Sequence, residues 1–149
     1  MTLNKVSLLF FVLTISVIFS CENHVKSKYD NEKLLFDYLK RKQNLEIVHN
    51  EIYEIAIMQI GMCGACTEFN KTKIVEYFSR VSKLSNKILI LSDKNEKLEQ
   101  YFLNNCGNDL IIQTGNGIDI SKYGLRYSKD LLIKIKDASV LEYSFLEGK

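Results

Sequence analysis

Residues 52–66 read IYEIAIMQIGMCGAC, and this stretch decides the fold. Its first part alternates between two sets of side chains, which predicts a β-strand over Ile52–Ile60. The alternation assigns the residues to two faces, Ile55, Ile57 and Gln59 on one and Ala56, Met58 and Ile60 on the other. After the two cysteines, apolar residues recur at short helical steps, so residues 63–85 are predicted to be mostly a helix with one buried stripe. Cys63 and Cys66 are therefore expected where a strand passes into a helix.

This placement of the two cysteines has a chemical rationale. Free backbone N–H groups and the helix dipole at a helix N-terminus favour the thiolate form of Cys63. Cys66, one helical turn further on, is near enough to attack a mixed disulfide formed on Cys63, which makes the pair a two-electron thiol–disulfide switch. Gly61 and Gly64 leave the approach to the pair uncrowded.

The segments on either side of this stretch alternate between helices and strands. On the amino-terminal side we predict a helix within Asp30–Lys42, a strand over Leu45–Val48 and a turn at His49-Asn50. On the carboxyl side the predicted elements are a strand over Lys87–Ser92, a helix around Leu98–Phe102, a short strand over Leu110–Ile112, and a loop over Gly115–Gly124 with at most one helical turn.

The last part of the chain changes to the period of a strand. Apolar residues alternate with polar ones from Leu131 to Lys136 and again from Val140 to Phe145, with Asp137-Ala138-Ser139 as the turn between them. This pattern predicts an antiparallel β-hairpin. Alternating helices and strands followed by a hairpin indicate an α/β domain with a central mixed β-sheet flanked by helices.

The amino terminus has the pattern of an exported protein. Lys5 precedes an uncharged run over Val6–Ser20, which is typical of a signal peptide over residues 1–20 and is shorter than the roughly 18 or more apolar residues of a membrane span. Ile18-Phe19-Ser20-Cys21 follows, and these four residues resemble the lipobox of bacterial lipoproteins. The resemblance implies lipidation of Cys21, with residues 21–28 as a tether and residues 29–149 as the folded domain.

An uncleaved N-terminal anchor helix, with Cys21 as a bystander, is the alternative to a lipoprotein signal peptide. Both alternatives place the domain outside the cytoplasm, in an oxidising compartment of the bacterial cell envelope. The lipid-anchored form attaches to the membrane by its acyl chains without spanning it.

Composition excludes two other classes of protein. Of the 149 residues, 46% are hydrophobic and 26% are charged, which is ordinary for a globular domain and excludes intrinsic disorder. Lys and Arg number 20 against 18 Asp and Glu, and the basic residues are scattered rather than clustered. Nucleic acid is therefore not an expected partner.

From about Glu51 to Ser144 the chain resembles the thioredoxin-like superfamily, and within it the membrane-anchored TlpA-like thiol–disulfide oxidoreductases. The strand that leads into Met62-Cys63-Gly64-Ala65-Cys66 resembles the family's strand and W-C-x-x-C motif, and Tyr123-Gly124-Leu125-Arg126 resembles its Y-G-V-R. The resemblance implies that Cys63 is the nucleophile and Cys66 the resolving thiol. It also implies that Ser128 and Lys129 occupy the Thr and cis-proline positions of the loop that faces the substrate.

The chain departs from this family at several positions. It contains no proline, so Lys129 stands where the cis-proline would be. A non-proline cis bond costs roughly 2.5–4 kcal/mol, so we expect a trans Ser128–Lys129 bond and a loop that faces the thiols differently. Met62 replaces the Trp, Ala65 replaces a frequent Pro, no buried acid can be assigned to the site, and the family's terminal helix is missing after the hairpin.

The resemblance implies a lipid-anchored thiol–disulfide oxidoreductase of the cell envelope. Its partners would be protein thiols and disulfides together with an upstream electron-transfer partner, and it would use no cofactor and no metal. Arg126 and Lys129 lie beside the predicted site and would favour the thiolate further, although a surface role is their default interpretation.

Two other interpretations of the cysteines stay open. In the first, Cys63 and Cys66 form a static disulfide or are buried thiols, and the chain is a binding or structural module. In the second, Cys63, Cys66 and Cys106 bind zinc together with His49 or His24. Cys106 by itself is predicted to be a buried or half-exposed thiol at the end of a helix.

Overall fold

The computed structural model describes residues 29–61, 64–125 and 129–146. Its elements in chain order are helix α1 (Glu32–Lys42), strand β1 (Ile52–Met58), helix α2 (Gly64–Ser79), strand β2 (Asn86–Leu91), helix α3 (Glu96–Cys106), strand β3 (Leu110–Thr114), helix α4 (Gly117–Lys122), strand β4 (Asp130–Lys136) and strand β5 (Ser139–Leu146). The predicted signal peptide, the tether and Cys21 lie outside the described residues.

The strands form one five-stranded sheet in the order β3-β2-β1-β4-β5. Strands β1, β2 and β3 are parallel, and β4 runs antiparallel to β1, with Ile57 opposite Leu131. The ends of β1, β2 and β3 therefore meet at one edge of the sheet, which we call the carboxyl edge. Because β4 runs the opposite way, it begins at this same edge, at Asp130.

The alternation along β1 divides the core into two layers. Ile55 and Ile57 pack with buried residues of α1 and α4, whereas Ala56 and Met58 pack with α2 and α3. This confirms the two faces predicted for β1. Each large aliphatic side chain buried here contributes roughly 1.5–3 kcal/mol to folding.

The predicted C-terminal hairpin is confirmed, with a shorter turn than expected. Strands β4 and β5 pair antiparallel, and Ser139 belongs to β5 rather than to the turn. The turn consists of Asp137 and Ala138, both with positive φ (53° and 55°). Two such residues form the type I′ turn that matches the twist of a hairpin.

The side of the hairpin that faces the α2 layer is mixed, because Leu132 and Leu146 pack into that layer and the other positions are polar. Lys134, Glu142 and Ser144 project from it, opposite the apolar side that packs against α1. A sheet face with this pattern needs no covering helix. Among the described residues no helix follows β5, which ends at Leu146.

Two predictions of secondary structure are wrong. Leu45–Val48 is not a strand, because Leu45 and Ile47 pack against the core without a neighbouring strand, and the Val48 N–H donates instead to the hydroxyl of Tyr53 at 3.1 Å. The loop over Gly115–Gly124 contains a six-residue helix, α4, rather than at most one turn. The Asn116 side chain caps α4 by accepting the Ile118 N–H at 2.8 Å.

The predicted fold class is confirmed. The chain forms an α/β domain with a central mixed sheet, helices on both faces and an antiparallel hairpin at one side. None of the described helices is both long and apolar enough to cross a membrane.

Candidate redox site

The candidate site lies at the carboxyl edge, where β1 leads into α2. Cys66 is half-buried in the first turn of α2 and forms a disulfide. Cys106 is a free cysteine, so the sulfur to which Cys66 is bonded lies outside the described residues. Met62 and Cys63 also lie outside them, and the role of Cys63 stays a prediction.

A glycine makes the turn from the strand to the helix. Gly61 has a φ of +95°, in the left-handed region that glycine adopts most readily. No atom lies within 4 Å of the position that a Cβ would take there. Backbone conformation rather than lack of space therefore favours glycine at position 61.

A buried carboxyl group lies behind the site, which corrects the expectation that none could be assigned. Asp130, the first residue of β4, is only 1% exposed. Its Oδ1 accepts the backbone N–H of Gln59 at 2.6 Å, and its Oδ2 accepts the side-chain amide of Asn70 at 2.8 Å. Asn70 follows Cys66 by four positions, which is one turn of α2. The acid is thus tied to the helix that carries Cys66.

Burial sets the protonation behaviour of this group. Burial raises the pKa of Asp130, and the hydrogen bonds from Gln59 and Asn70 oppose this shift by stabilising the carboxylate. Asn70 Oδ1 and Gln59 Nε2 are also buried and have no hydrogen-bond partner among the described residues. Rotation of the Asn70 amide would let Oδ1 accept the proton of a neutral Asp130, so Asn70 can serve both charge states of the acid.

The sequence carried a weak signal for this pair. Asn70 lies on the buried stripe of α2 together with Ile74 and Phe78, at the spacing of a helix face. Asp130 alternates with Leu131 and shares the sheet face of Leu132. A polar residue at a predicted buried position suggests a hydrogen-bond partner inside the core. The sequence does not show that Asn70 and Asp130 are partners, because they are 60 positions apart.

Part of the predicted substrate-facing loop is described. Lys129 is half-buried and directly precedes Asp130, whereas Arg126 and Ser128 lie outside the described residues. Gly124, on the other side of this gap, has its carbonyl held by the Asn31 amide at 2.7 Å. There is no cis peptide bond within the described ranges, and the Ser128–Lys129 bond does not belong to them.

The zinc interpretation requires residues that the fold separates. Cys106 ends α3, which runs back from the carboxyl edge over about 16 Å at 1.5 Å per residue. His49 precedes β1, so it too lies at the end of the sheet opposite Cys66. Within residues 29–61, 64–125 and 129–146, no three His, Cys, Asp or Glu side chains form a group suited to a metal ion. His24 lies outside these ranges.

Cys106 is half-buried at the end of α3, as predicted for a thiol at a helix end. Gly107, with a φ of +95°, ends the helix. Burial raises the pKa of the Cys106 thiol, and the nearby Lys87 opposes the shift. This environment favours an unreactive thiol.

A cleft of about 580 Å³ lies between α2 and the hairpin, away from the carboxyl edge. At its floor Tyr77 donates hydrogen bonds to the Glu54 carboxylate and, at 3.1 Å, to the carbonyl of Ile133. Lys134 Nζ lies 3.2 Å from Glu54 Oε1. Both carboxylate oxygens of the buried Glu54 are therefore bonded to neighbouring side chains, so Glu54 is not free to react in this cleft.

Comparison with known proteins gives one structural likeness. No family model and no curated protein matches the sequence. Among solved structures, the chain is similar to a secreted Mycobacterium tuberculosis disulfide oxidoreductase homologous to E. coli DsbE. The identity is 7%, the alignment covers 66% of this chain and 72% of that chain, and the TM-score is 0.46.

Proposed function

We propose that this chain is a thiol–disulfide oxidoreductase with Cys63 and Cys66 as its redox pair. One observation carries the proposal: Cys66 is disulfide-bonded in the first turn of a helix that follows a buried central strand, and Asn70, one helical turn further along that helix, donates a hydrogen bond to the buried acid Asp130. A disulfide that only staples the fold has no need of a buried titratable group beside it, because burying an acid costs free energy.

The proposed exchange follows from thiol chemistry. The Cys63 thiolate attacks one sulfur of a substrate disulfide, the substrate S–S bond breaks, and the other substrate sulfur leaves as a thiolate. The Cys66 thiolate then attacks the Cys63 sulfur, which releases the second substrate thiol and closes the protein disulfide. Two electrons have passed to the substrate, and a dithiol of an upstream partner must return them. The opposite direction uses the same steps in reverse.

Asp130 supplies the base that this sequence of steps needs. The Cys66 thiol must lose its proton before it attacks, and a buried carboxylate with a raised pKa is a stronger proton acceptor than an exposed one. We assign this proton transfer to Asp130, with Asn70 as the positioning residue that holds the carboxyl group against α2.

The location of the protein is part of the proposal and rests on the sequence alone. Lipidation of Cys21 would hold the domain at a membrane of the bacterial cell envelope, with residues 21–28 as the tether. Its partners would then be protein thiols and disulfides of that compartment. An oxidising environment is where a disulfide of this kind persists.

The test uses the full chain, extracted with detergent, and its Cys66→Ser and Cys106→Ser variants. A redox pair predicts that reduced Cys66→Ser accumulates a mixed disulfide on Cys63 when mixed with a disulfide substrate, and that Cys106→Ser behaves as wild type. In the reduced wild type, iodoacetamide should label Cys63 before Cys66.

The equilibrium potential of the pair against glutathione completes the test. A structural disulfide resists reduction, with a potential below about −300 mV. A potential in that range, together with no trapped mixed disulfide, would show that the disulfide is static and that the chain is a binding or structural module.

A further inference from the structure

A second cleft adjoins the redox site along the carboxyl edge. It has a volume of about 230 Å³ and is formed where β1, β2 and β3 end, by residues that include Ile60, Ser92, Asp93, Asn116 and Ile118. Ile60 is three residues before Cys63, so the two Cα atoms lie at most about 11 Å apart. Three or four residues of an extended chain span that distance. A protein that reacts at Cys63 is therefore within reach of this cleft.

The walls of the cleft are fixed by hydrogen bonds. Ser92 Oγ accepts the Ile60 N–H at 2.7 Å, and the Ser92 N–H donates to the carbonyl of Met58 at 2.8 Å. The Gly115 N–H donates to the carbonyl of Leu91 at 2.6 Å. The cleft is thus a preformed concave surface rather than a gap between loose loops.

The lining of the cleft includes one exposed acid, Asp93, and one exposed apolar residue, Ile118. Asp93 is exposed, and its carboxylate accepts the Lys94 N–H at 2.8 Å but has no ion pair among the described residues. The nearest lysine in sequence, Lys94, is paired with Glu96 at 3.1 Å. No Lys, Arg or His belongs to the described lining. Ile118 is 64% exposed at the rim, although Ile120 in the same helix is fully buried.

We propose that this cleft binds the segment of a protein substrate next to its reactive cysteine and selects a basic side chain in that segment. This inference rests on the proposed function. The occupant follows from charge and position: an unpaired carboxylate attracts a cation, an exposed isoleucine takes apolar stem carbons, and the surface continues from the reacting pair. Lysine and arginine combine a charged head with an apolar stem.

The test uses two synthetic peptides, each with a single cysteine in a mixed disulfide with a chromogenic aromatic thiol, and with Arg or Glu three residues from that cysteine. The reduced full chain should release the aromatic thiol from the Arg peptide about two- to fivefold faster than from the Glu peptide, as expected for a partly exposed ion pair. The preference should weaken in high salt. Asp93→Asn should abolish it, and Asp93→Lys should reverse it.

Three further measurements separate this proposal from the proposed function. Asp137→Asn removes an exposed acid from the hairpin turn and should leave the preference intact, because Asp137 follows Lys136, which pairs with Ile52 at the end of the sheet opposite the carboxyl edge. Ile118→Ser should raise the concentration of either peptide that gives half of the maximal single-turnover rate, and leave that maximal rate unchanged. The free symmetrical aromatic disulfide carries no peptide segment, so its reduction by wild type measures the redox step without the cleft. If wild type reduces it but treats the two peptides alike, the docking proposal is overturned alone; if wild type does not reduce it, the redox function fails first.

Discussion

Asn70 of helix α2 donates a hydrogen bond of 2.8 Å to the carboxyl group of Asp130 at the start of strand β4. The bond joins two elements that meet at the carboxyl edge, one carrying Cys66 and the other following the loop that ends at Lys129. Because the buried Asp130 contacts both elements, its ionisation state affects the stability of the fold.

The pH dependence of stability should report on Asp130. Burial raises its pKa above the value of about 3.9 that Asp has in an unfolded chain. The folded state therefore binds this proton more tightly, so the stability due to the neutral acid is fully present below about pH 3.9 and is lost as the pH rises through the folded-state pKa. Asp130→Asn resembles the neutral acid. Its free energy of unfolding relative to wild type should rise as the pH increases above about 3.9 and level off once the pH exceeds the folded-state pKa of Asp130.

Asp109→Asn is the control with the opposite sign. The hydrogen bond from Lys87 lowers the pKa of Asp109, so this carboxylate contributes stability above the unfolded pKa that is lost as the pH falls through the folded one. Removal of its charge should therefore destabilise the protein at neutral pH. Urea unfolding across pH measures both variants. A pH-independent difference for Asp130→Asn would mean that Asp130 ionises normally in the folded protein.

Asn70→Leu should destabilise the protein by about 1–3 kcal/mol at neutral pH, because it leaves one buried carboxylate oxygen of Asp130 without a donor. The loss should be smaller in acid, where Asp130 is neutral. The midpoint of urea unfolding, with an unchanged slope, gives the measurement. Asn104→Leu changes an exposed asparagine of α3 and should cost less than about 0.5 kcal/mol. Equal losses for the two variants would rule out a special role for Asn70.

Ala138→Gly should stabilise the hairpin by about 1 kcal/mol. Ala138 has a φ of +55°, a left-handed conformation that costs a residue with a Cβ roughly 1–2 kcal/mol, whereas glycine adopts it freely. Ser139→Gly, one residue further on in β5, should be destabilising, because glycine weakens an extended strand. Thermal unfolding of both variants tests the turn. A lower Tm for Ala138→Gly would mean that the turn is not type I′.

Local periodicity predicted the elements that pack through their own pattern. The spacing of apolar residues predicts the buried faces of strand β1 and helix α2, and the break in alternation predicts the position of the hairpin turn. Leu45–Val48 has a similar alternation but no neighbouring strand to pair with. The sequence of a short segment does not reveal whether such a partner exists, so the strand prediction failed there. Asp130 was missed for a related reason, since its burial depends on Asn70 and Gln59, which other elements bring to it.

Cys21→Ser should release the protein from the membrane fraction or leave its signal peptide uncleaved, because the lipobox resemblance makes the Cys21 sulfur the site of acylation. Fractionation of cells and the mass of the mature protein provide the readout. Cys106→Ser is the matched control, since it changes a free cysteine inside the domain and should leave processing intact. Processing and partitioning of Cys21→Ser identical to those of wild type would refute the lipobox, and an N-terminus left uncleaved in both proteins would support the anchor helix instead.

The last prediction concerns Lys129, which the sequence resemblance aligns with the cis-proline of the thioredoxin-like oxidoreductases. Lys129 directly precedes Asp130, whose carboxyl group is fixed to Gln59 and Asn70, so the end of the loop is already held at the carboxyl edge. An X–Pro bond loses most of the preference for trans, so a proline at this position can adopt the cis form at low cost. We therefore expect Lys129→Pro to raise the rate at which the reduced protein reduces a model protein disulfide.

Two comparisons make this result interpretable. Lys129→Ala removes the charge without adding the ring, and it should not raise the rate. The pH dependence of stability attributed to Asp130 should persist in Lys129→Pro, which shows that the start of β4 is intact even though proline removes a backbone N–H. If the wild type already matches an ordinary thioredoxin and Lys129→Pro only slows it, then Lys129 does not occupy the position of the cis-proline, or the loop does not limit the reaction.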